Sequence, residues 1–214
     1  MSERNKHVEN SSIPRVGATG PPCVEFTLIE EEGRYVVAMR ATVTPAGDAQ
    51  TLSGQVTIKV PHAEGPDRFV VTDLQPAVES AIWVESGRTD APSEDPQVDY
   101  ISFAFNAVVV DSQMVQALRS ANAASAITPR ANDLSAYAWQ AGVAIPVFSF
   151  ANGGDGQGEG TVALLADNDP FLAPNSAGTN PINQIAILGI DTENAYLGNY
   201  NTAATDIYLP LINR

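Results

Sequence analysis

The fold is decided by residues 23–60, CVEFTLIEEEGRYVVAMRATVTPAGDAQTLSGQVTIKV. From Cys23 onward, polarity alternates with a period of two. Val24, Phe26 and Leu28 share one face, and Glu25 and Thr27 the other. Tyr35, Val37, Met39, Ala41 and Val43 then alternate with Arg34, Val36, Ala38, Arg40 and Thr42. Leu52, Val56, Ile58 and Val60 oppose Ser53, Gln55, Thr57 and Lys59. Successive side chains of a strand point to opposite faces, so this is the pattern of half-buried strands and not of a helix. Glu30-Glu31-Glu32-Gly33 and Pro45-Ala46-Gly47-Asp48 supply turns between them. Three such strands joined by short loops predict a meander or the opening of a Greek key.

The same rhythm continues outward. Phe69–Val71 and Ala81–Glu85 read as short strands around a turn through Asp73, Gln75 and Pro76. Arg88 to Pro96 reads as a polar loop. Ile101, Phe103, Phe105, Ala107 and Val109 line the longest strand, Asp99 to Val110. Asp111 is placed to cap a helix over Ser112 to Ala124, where Met114, Val115, Leu118 and Ala121 fall at helical spacing. Tyr137, Trp139, Val143, Ile145 and Val147 resume the period of two up to Phe150, and Ala151 to Gly160 is a flexible loop. In the last stretch Val162–Leu165, Gln184–Leu188 and Ala195–Leu197 read as strands. Asp167 to Pro170, Asn175 to Asn183 and Gly189 to Asn194 are the turns between them. About nine or ten strands with frequent turns predict an all-β, Greek-key or jelly-roll β-sandwich with one short inserted helix. The expected organisation is a flexible or docking arm over residues 1–22, the sandwich over 23–206 and a C-terminal apolar strand over 207–214.

Composition narrows the function classes. With 44% hydrophobic residues in 214, the chain can bury a substantial core. Acids outnumber bases 25 to 11, for a net charge of −14. That balance argues against nucleic acid, which rewards clustered Lys and Arg, and against an anionic membrane surface. No apolar run approaches the ~18 residues of a membrane span, so no membrane insertion is expected. Cys23 is the only cysteine, which excludes an intrachain disulfide and a Cys-built zinc site. It reads as a small buried hydrophobe at the start of a strand. Met1 to His7 is polar, with no apolar region behind it, so no signal peptide is legible.

Catalytic signatures are not evident. His7 and His62 lie in no metal-binding helix motif, and neither a GxSxG elbow nor a P-loop occurs. His62, after Pro61, reads as a solvent-exposed turn residue. The chain is therefore expected not to be an enzyme. A glycosidase, which needs only two carboxylates about 5–10 Å apart, stays a minor alternative. So does a viral coat jelly-roll, although a basic packaging arm is lacking.

Calcium is the cofactor the Asx-rich loops suggest. Asp167, Asn168 and Asp169, with Asp191 and Glu193 as a second group, offer the hard oxygens that Ca²⁺ prefers. The same residues make turns by bonding their own backbone. For a polysaccharide ligand, Trp83, out of phase with Ile82 and Val84, and Tyr196 and Tyr200, beside the Asn-rich loops, are candidate stacking platforms. Trp139 reads as core. Ile207, Tyr208, Leu209, Leu211 and Ile212 form a short apolar strand that can complete a neighbour's open sheet edge and build a homo-oligomer or polymer.

Several phrases resemble a module of bacterial secreted and surface proteins, cohesin-like or carbohydrate-binding-module-like in general look. They are Leu52 to Pro61, DYISFAF at Asp99 to Phe105, AWQAGVAIPVFSF at Ala138 to Phe150, and DNDPF…NPINQI…NAYLGNY within Asp167 to Tyr200. The resemblance covers about residues 23–202. It implies an extracellular or cell-surface β-sandwich used in surface architecture, adhesion or matrix. The expected function is a non-catalytic structural or adhesion protein that self-assembles into a filament or surface layer by arm or strand exchange. A carbohydrate-binding module is the alternative.

Overall fold

A computed structural model describes residues 23–45, 49–78, 81–105, 137, 139–155 and 162–200. The arm over 1–22, the helix over 112–124 and the apolar strand over 207–214 lie outside the described residues. The alternating stretches form strands β1 (Val24–Glu31), β2 (Arg34–Ala41) and β3 (Gln50–Pro61). They are followed by β4 (Val71–Pro76), β5 (Trp83–Thr89), β6 (Val98–Phe105), β7 (Ala144–Asn152), β8 (Ala163–Leu164), β9 (Gln184–Leu188) and β10 (Tyr196–Asn199).

They pack as an all-β sandwich of two sheets. One sheet runs β10-β1-β2-β7-β4, and the other β5-β6-β3-β8, with β9 also paired to β3. Neighbours are antiparallel except β1 and β10, which run parallel. Glu32 and Gly33, both at positive φ, close the β1–β2 hairpin. β2 buries Val36 through Met39 consecutively, whereas the sequence pattern gave it one wet face. It is the middle strand of its sheet, and small Ala38 is shielded by its neighbours.

The core is aromatic. Phe103 stacks on Phe150 at 5.2 Å between ring centroids, and Phe150 on Tyr35 at 5.4 Å. Trp83 meets Phe148 at 4.8 Å and Phe105 at 5.5 Å. Offset and tilted contacts of this kind add about 0.5–1.5 kcal/mol per pair beyond area burial. Trp139 is core, as its phase suggested.

Two expectations are corrected here. Trp83 does lie opposite Ile82 and Val84, but it is the inward member: Trp83 is 3% exposed, against 44% and 39% for its neighbours. The Trp83 ring fills the space between Phe105 and Phe148 on the inner face. Its Nε1–H donates to the Tyr137 hydroxyl at 3.2 Å, and burial pushes that phenol up to about 12. The turn expected at Asp73 to Pro76 belongs to β4 instead. Asp73 is at φ 49, and the register slips between Thr72 and Gln75, so the strand kinks and continues. Pro76 is tolerated because β4 is an edge strand.

The second sheet has one feature that positions the site. Successive residues of β8 and β9 pair with β3 in descending order, Ala163 and Leu164 with Lys59 and Ile58, then Gln184 to Leu188 with Gln55 to Gln50. The two are halves of one edge strand, and residues 165–183 are an excursion from it.

Trp83→Ala is expected to cost about 3–5 kcal/mol in urea unfolding, because the surrounding rings cannot close the cavity. Val84→Ala on the same strand should cost under about 1 kcal/mol. A Cβ at Gly54 would stand 3.0 Å from Trp83 Cη2, so Gly54→Ala should cost about 1–3 kcal/mol through overpacking.

Candidate functional site

The excursion leaves and rejoins the sheet at Thr57. Leu165 N–H donates to Thr57 O at 2.8 Å, and the Asn183 side chain accepts Thr57 N–H at 2.9 Å. The Asn183 amide then donates to Leu165 O at 2.9 Å, and Asn199 donates to the same carbonyl at 2.7 Å. An interrupted ladder thus has its bonds restored by amide side chains, which satisfies backbone groups that would otherwise be orphaned.

Between those ends the loop is latched down on the outer face of the sheet. Lys59 and Tyr100 are adjacent there, on β3 and β6. Asp169, with its side chain 2% exposed, places Oδ2 2.8 Å from Lys59 Nζ and Oδ1 2.8 Å from the Tyr100 hydroxyl. Phe171 N–H donates to Oδ1 at 3.0 Å. Burial lowers the Lys59 pKa, but the bonds to Asp169 and Asp95 outweigh it and the net shift is upward. Phe171 is fully buried against Tyr100, 4.4 Å between centroids, and with Leu165 forms a small core outside the sandwich. Further along, Gln55 Nε2 donates to Asn180 O at 3.0 Å. Glu94, from the loop between β5 and β6, accepts Ser176 N–H and its hydroxyl, each at 2.6 Å.

Asp99, the residue before Tyr100, points the other way and organises a second set of loops. It is fully buried. Oδ1 lies 2.6 Å from His62 Nδ1 and accepts Ala91 N–H at 3.1 Å, while Oδ2 accepts from Arg88 Nη2 at 2.7 Å. Arg88 also donates to Phe69 O and Asp90, and Arg68 pairs with Asp90. His62 is therefore not the exposed turn residue the sequence suggested, since a carboxylate 37 positions away draws its ring in.

The latched loop and the sheet enclose a cleft of about 340 Å³ on this outer face, lined by Gln55, Ser86, Gly87, Thr89, Ser102 and Asn180, with Tyr100 and Phe171 beside them. The sequence-derived candidates lie elsewhere. Asp167 accepts the Tyr196 hydroxyl at 2.9 Å, and Asn168 is exposed. Asp169 is already neutralised by Lys59. Asp191 Oδ1 caps a turn by accepting Glu193 and Asn194 N–H, at 2.8 and 3.1 Å. Among the described residues no three or more His, Cys, Asp or Glu side chains are grouped to hold a metal ion. The Tyr196 ring packs on Phe26 at 4.7 Å, and the Arg40 guanidinium covers the Tyr200 ring at 3.7 Å. Trp83 is core. Ile207, Tyr208, Leu209, Leu211 and Ile212 lie outside the described residues. Sequence reading missed Tyr100, Phe171, Lys59 and Asp99. The one available signal was DY near the start of β6, a charged and an amphipathic residue on opposite faces of a mostly apolar strand.

No family, curated protein or solved structure matches this chain. Among the described residues no helix is long and apolar enough to cross a membrane.

The Asp90 cluster gives the fold an acid limb. Burial pushes the Asp90 carboxyl up, but the Arg68 and Arg88 guanidiniums outweigh it and hold it at about 2. A carboxyl lowered on folding contributes stability that is present above about pH 4 and lost as pH falls towards 2. Screening of this half-exposed group limits the effect to about 1 kcal/mol or less. Thermal melts from pH 5 to 2 should show a steeper decline for the natural chain than for Asp90→Asn, and 1 M salt should shrink the difference.

Proposed function

We propose that this chain is a non-catalytic recognition module of the surface-structure or adhesion kind, acting through the outer face of β3, β6 and β5 and the loop latched across it. The observation that carries the reading is how the buried carboxylates are used. Asp169 is matched by Lys59 and Asp99 by Arg88, each at under 3 Å. A general acid needs a carboxyl whose charged form is disfavoured, and a nucleophile needs one that can reach substrate. Carboxylates bound by fixed cations serve neither role well. They hold loops instead, and loops held on a rigid sheet are where proteins place contact surfaces.

The sequence resemblance of residues 23–202 to bacterial surface modules supports the same reading, and the module is proposed to act outside the cell. The acidic balance of the chain suits solubility there and disfavours phosphate-bearing partners.

Ala104 stands on the outer face of β6, between Val84 and Gln55. Purified chain is expected to be retained on arrays of glycans and matrix proteins. Ala104→Arg should weaken retention at least tenfold, while Glu30→Arg at the far end of β1 should leave it unchanged. Turnover of oligosaccharide or ester substrates, or retention indifferent to Ala104→Arg, would contradict the proposal.

A further inference from the structure

We infer that the cleft between the latched loop and the outer face of β5 and β6 binds a neutral polyhydroxylated ligand, one or two sugar rings in size. This rests on the reading of that face as the contact surface and names its ligand class.

The chemistry of the lining selects the class. Hydroxyls come from Ser86, Thr89 and Ser102, the last sharing one bond with Thr57 Oγ1, and amides from Asn180 and from Gln55, whose Nε2 gives one bond to Asn180 O. Such groups both donate and accept, which matches a ligand whose own groups do the same. Ser86 Oγ already donates to Ser102 O at 3.1 Å, and so presents its lone pairs. Charge is present nearby but committed. Arg88 reaches the cleft wall with its guanidinium bound to Asp99, Asp90 and Phe69 O, and Asp169 faces Lys59 and Tyr100. An anionic ligand therefore finds no open cation and meets the field of a chain at −14, while a cationic one finds no open carboxylate. Tyr100 and Phe171 also line the cleft, with their rings packed against each other and away from solvent. A volume of about 340 Å³ is at the small end of the ~300–1,000 Å³ that small-molecule sites span.

Gly87 supplies a clean test. It lines the cleft, and a Cβ added there would meet no atom within 4 Å, so a large side chain fills ligand space without disturbing the sheet. Saturation-transfer NMR on the full chain, with neutral hexoses and their disaccharides at millimolar concentration, should show binding. Gly87→Phe should abolish it with the melting temperature unchanged, and Thr89→Val should weaken it several-fold. The matching uronic acids and amino sugars should bind at least fivefold more weakly. Neutral-sugar binding that survives Gly87→Phe, or equal binding of the charged sugars, would overturn the inference. So would no response to any sugar. If array retention still depends on Ala104 in that last case, the ligand class fails and the face survives. Sugar binding with retention indifferent to Ala104→Arg would fail the wider face and leave the cleft.

Discussion

A carboxylate taken out of water has to be met by a cation and by donors, and the second sheet of this protein is arranged around two that are. Asp169 and Asp99 are both buried, and each is answered by a cationic side chain from a strand of this sheet, Lys59 and Arg88. Tyr100 and Asp99, consecutive on β6, present opposite faces because strand side chains alternate. One faces outward to the loop over 165–183, and the other towards the segments around His62 and Arg88. A two-residue stretch thereby ties down the loop over 165–183 and the segments around His62 and Arg88. Breaking such a pair by removing one partner costs far more than the pair gains over an apolar pair, because it strands a buried charge.

The excursion from the edge strand shows how loop and sheet share one set of backbone bonds. Asn183 stands in for a missing strand neighbour at Thr57, and Asn199 joins it on the Leu165 carbonyl. Phe171 then has somewhere dry to go, against Tyr100. Burying a phenylalanine is worth roughly 1.5–3 kcal/mol, comparable to the entropy of fixing one or two loop residues. Hydrophobic contact alone does not hold a loop of this length. The polar anchors at Asp169, Ser176, Asn180 and Asn183 divide it into short spans, each with little left to order.

β1, β2 and β3 were legible because the sequence alternates along them, and β9 was legible to the residue. Where reading failed, the physics was non-local. Trp83 had the right phase, but the face assignment needed the knowledge that Phe105 and Phe148 await it. β4 looked like a turn because its residues are turn formers, and only its pairing with β7 makes it a strand. Local composition did not show that Asp169 is met by Lys59, 110 positions earlier. His62 looked idle for the same reason. The cleft had no local signature, since its walls come from three strands and a loop whose residues are individually ordinary.

The most direct test of the latch is a double-mutant cycle on Lys59→Met and Asp169→Leu, read by urea unfolding and by hydrogen exchange of the amides from Ala166 to Asn183. Each single change is predicted to cost up to about 3–5 kcal/mol and to speed exchange in that loop. The double change should recover much of the stability, because the buried Asp169 charge is gone and Asp95, the other partner of Lys59, keeps some contact with water. Additive losses, or loop exchange unchanged in all three variants, would contradict the account.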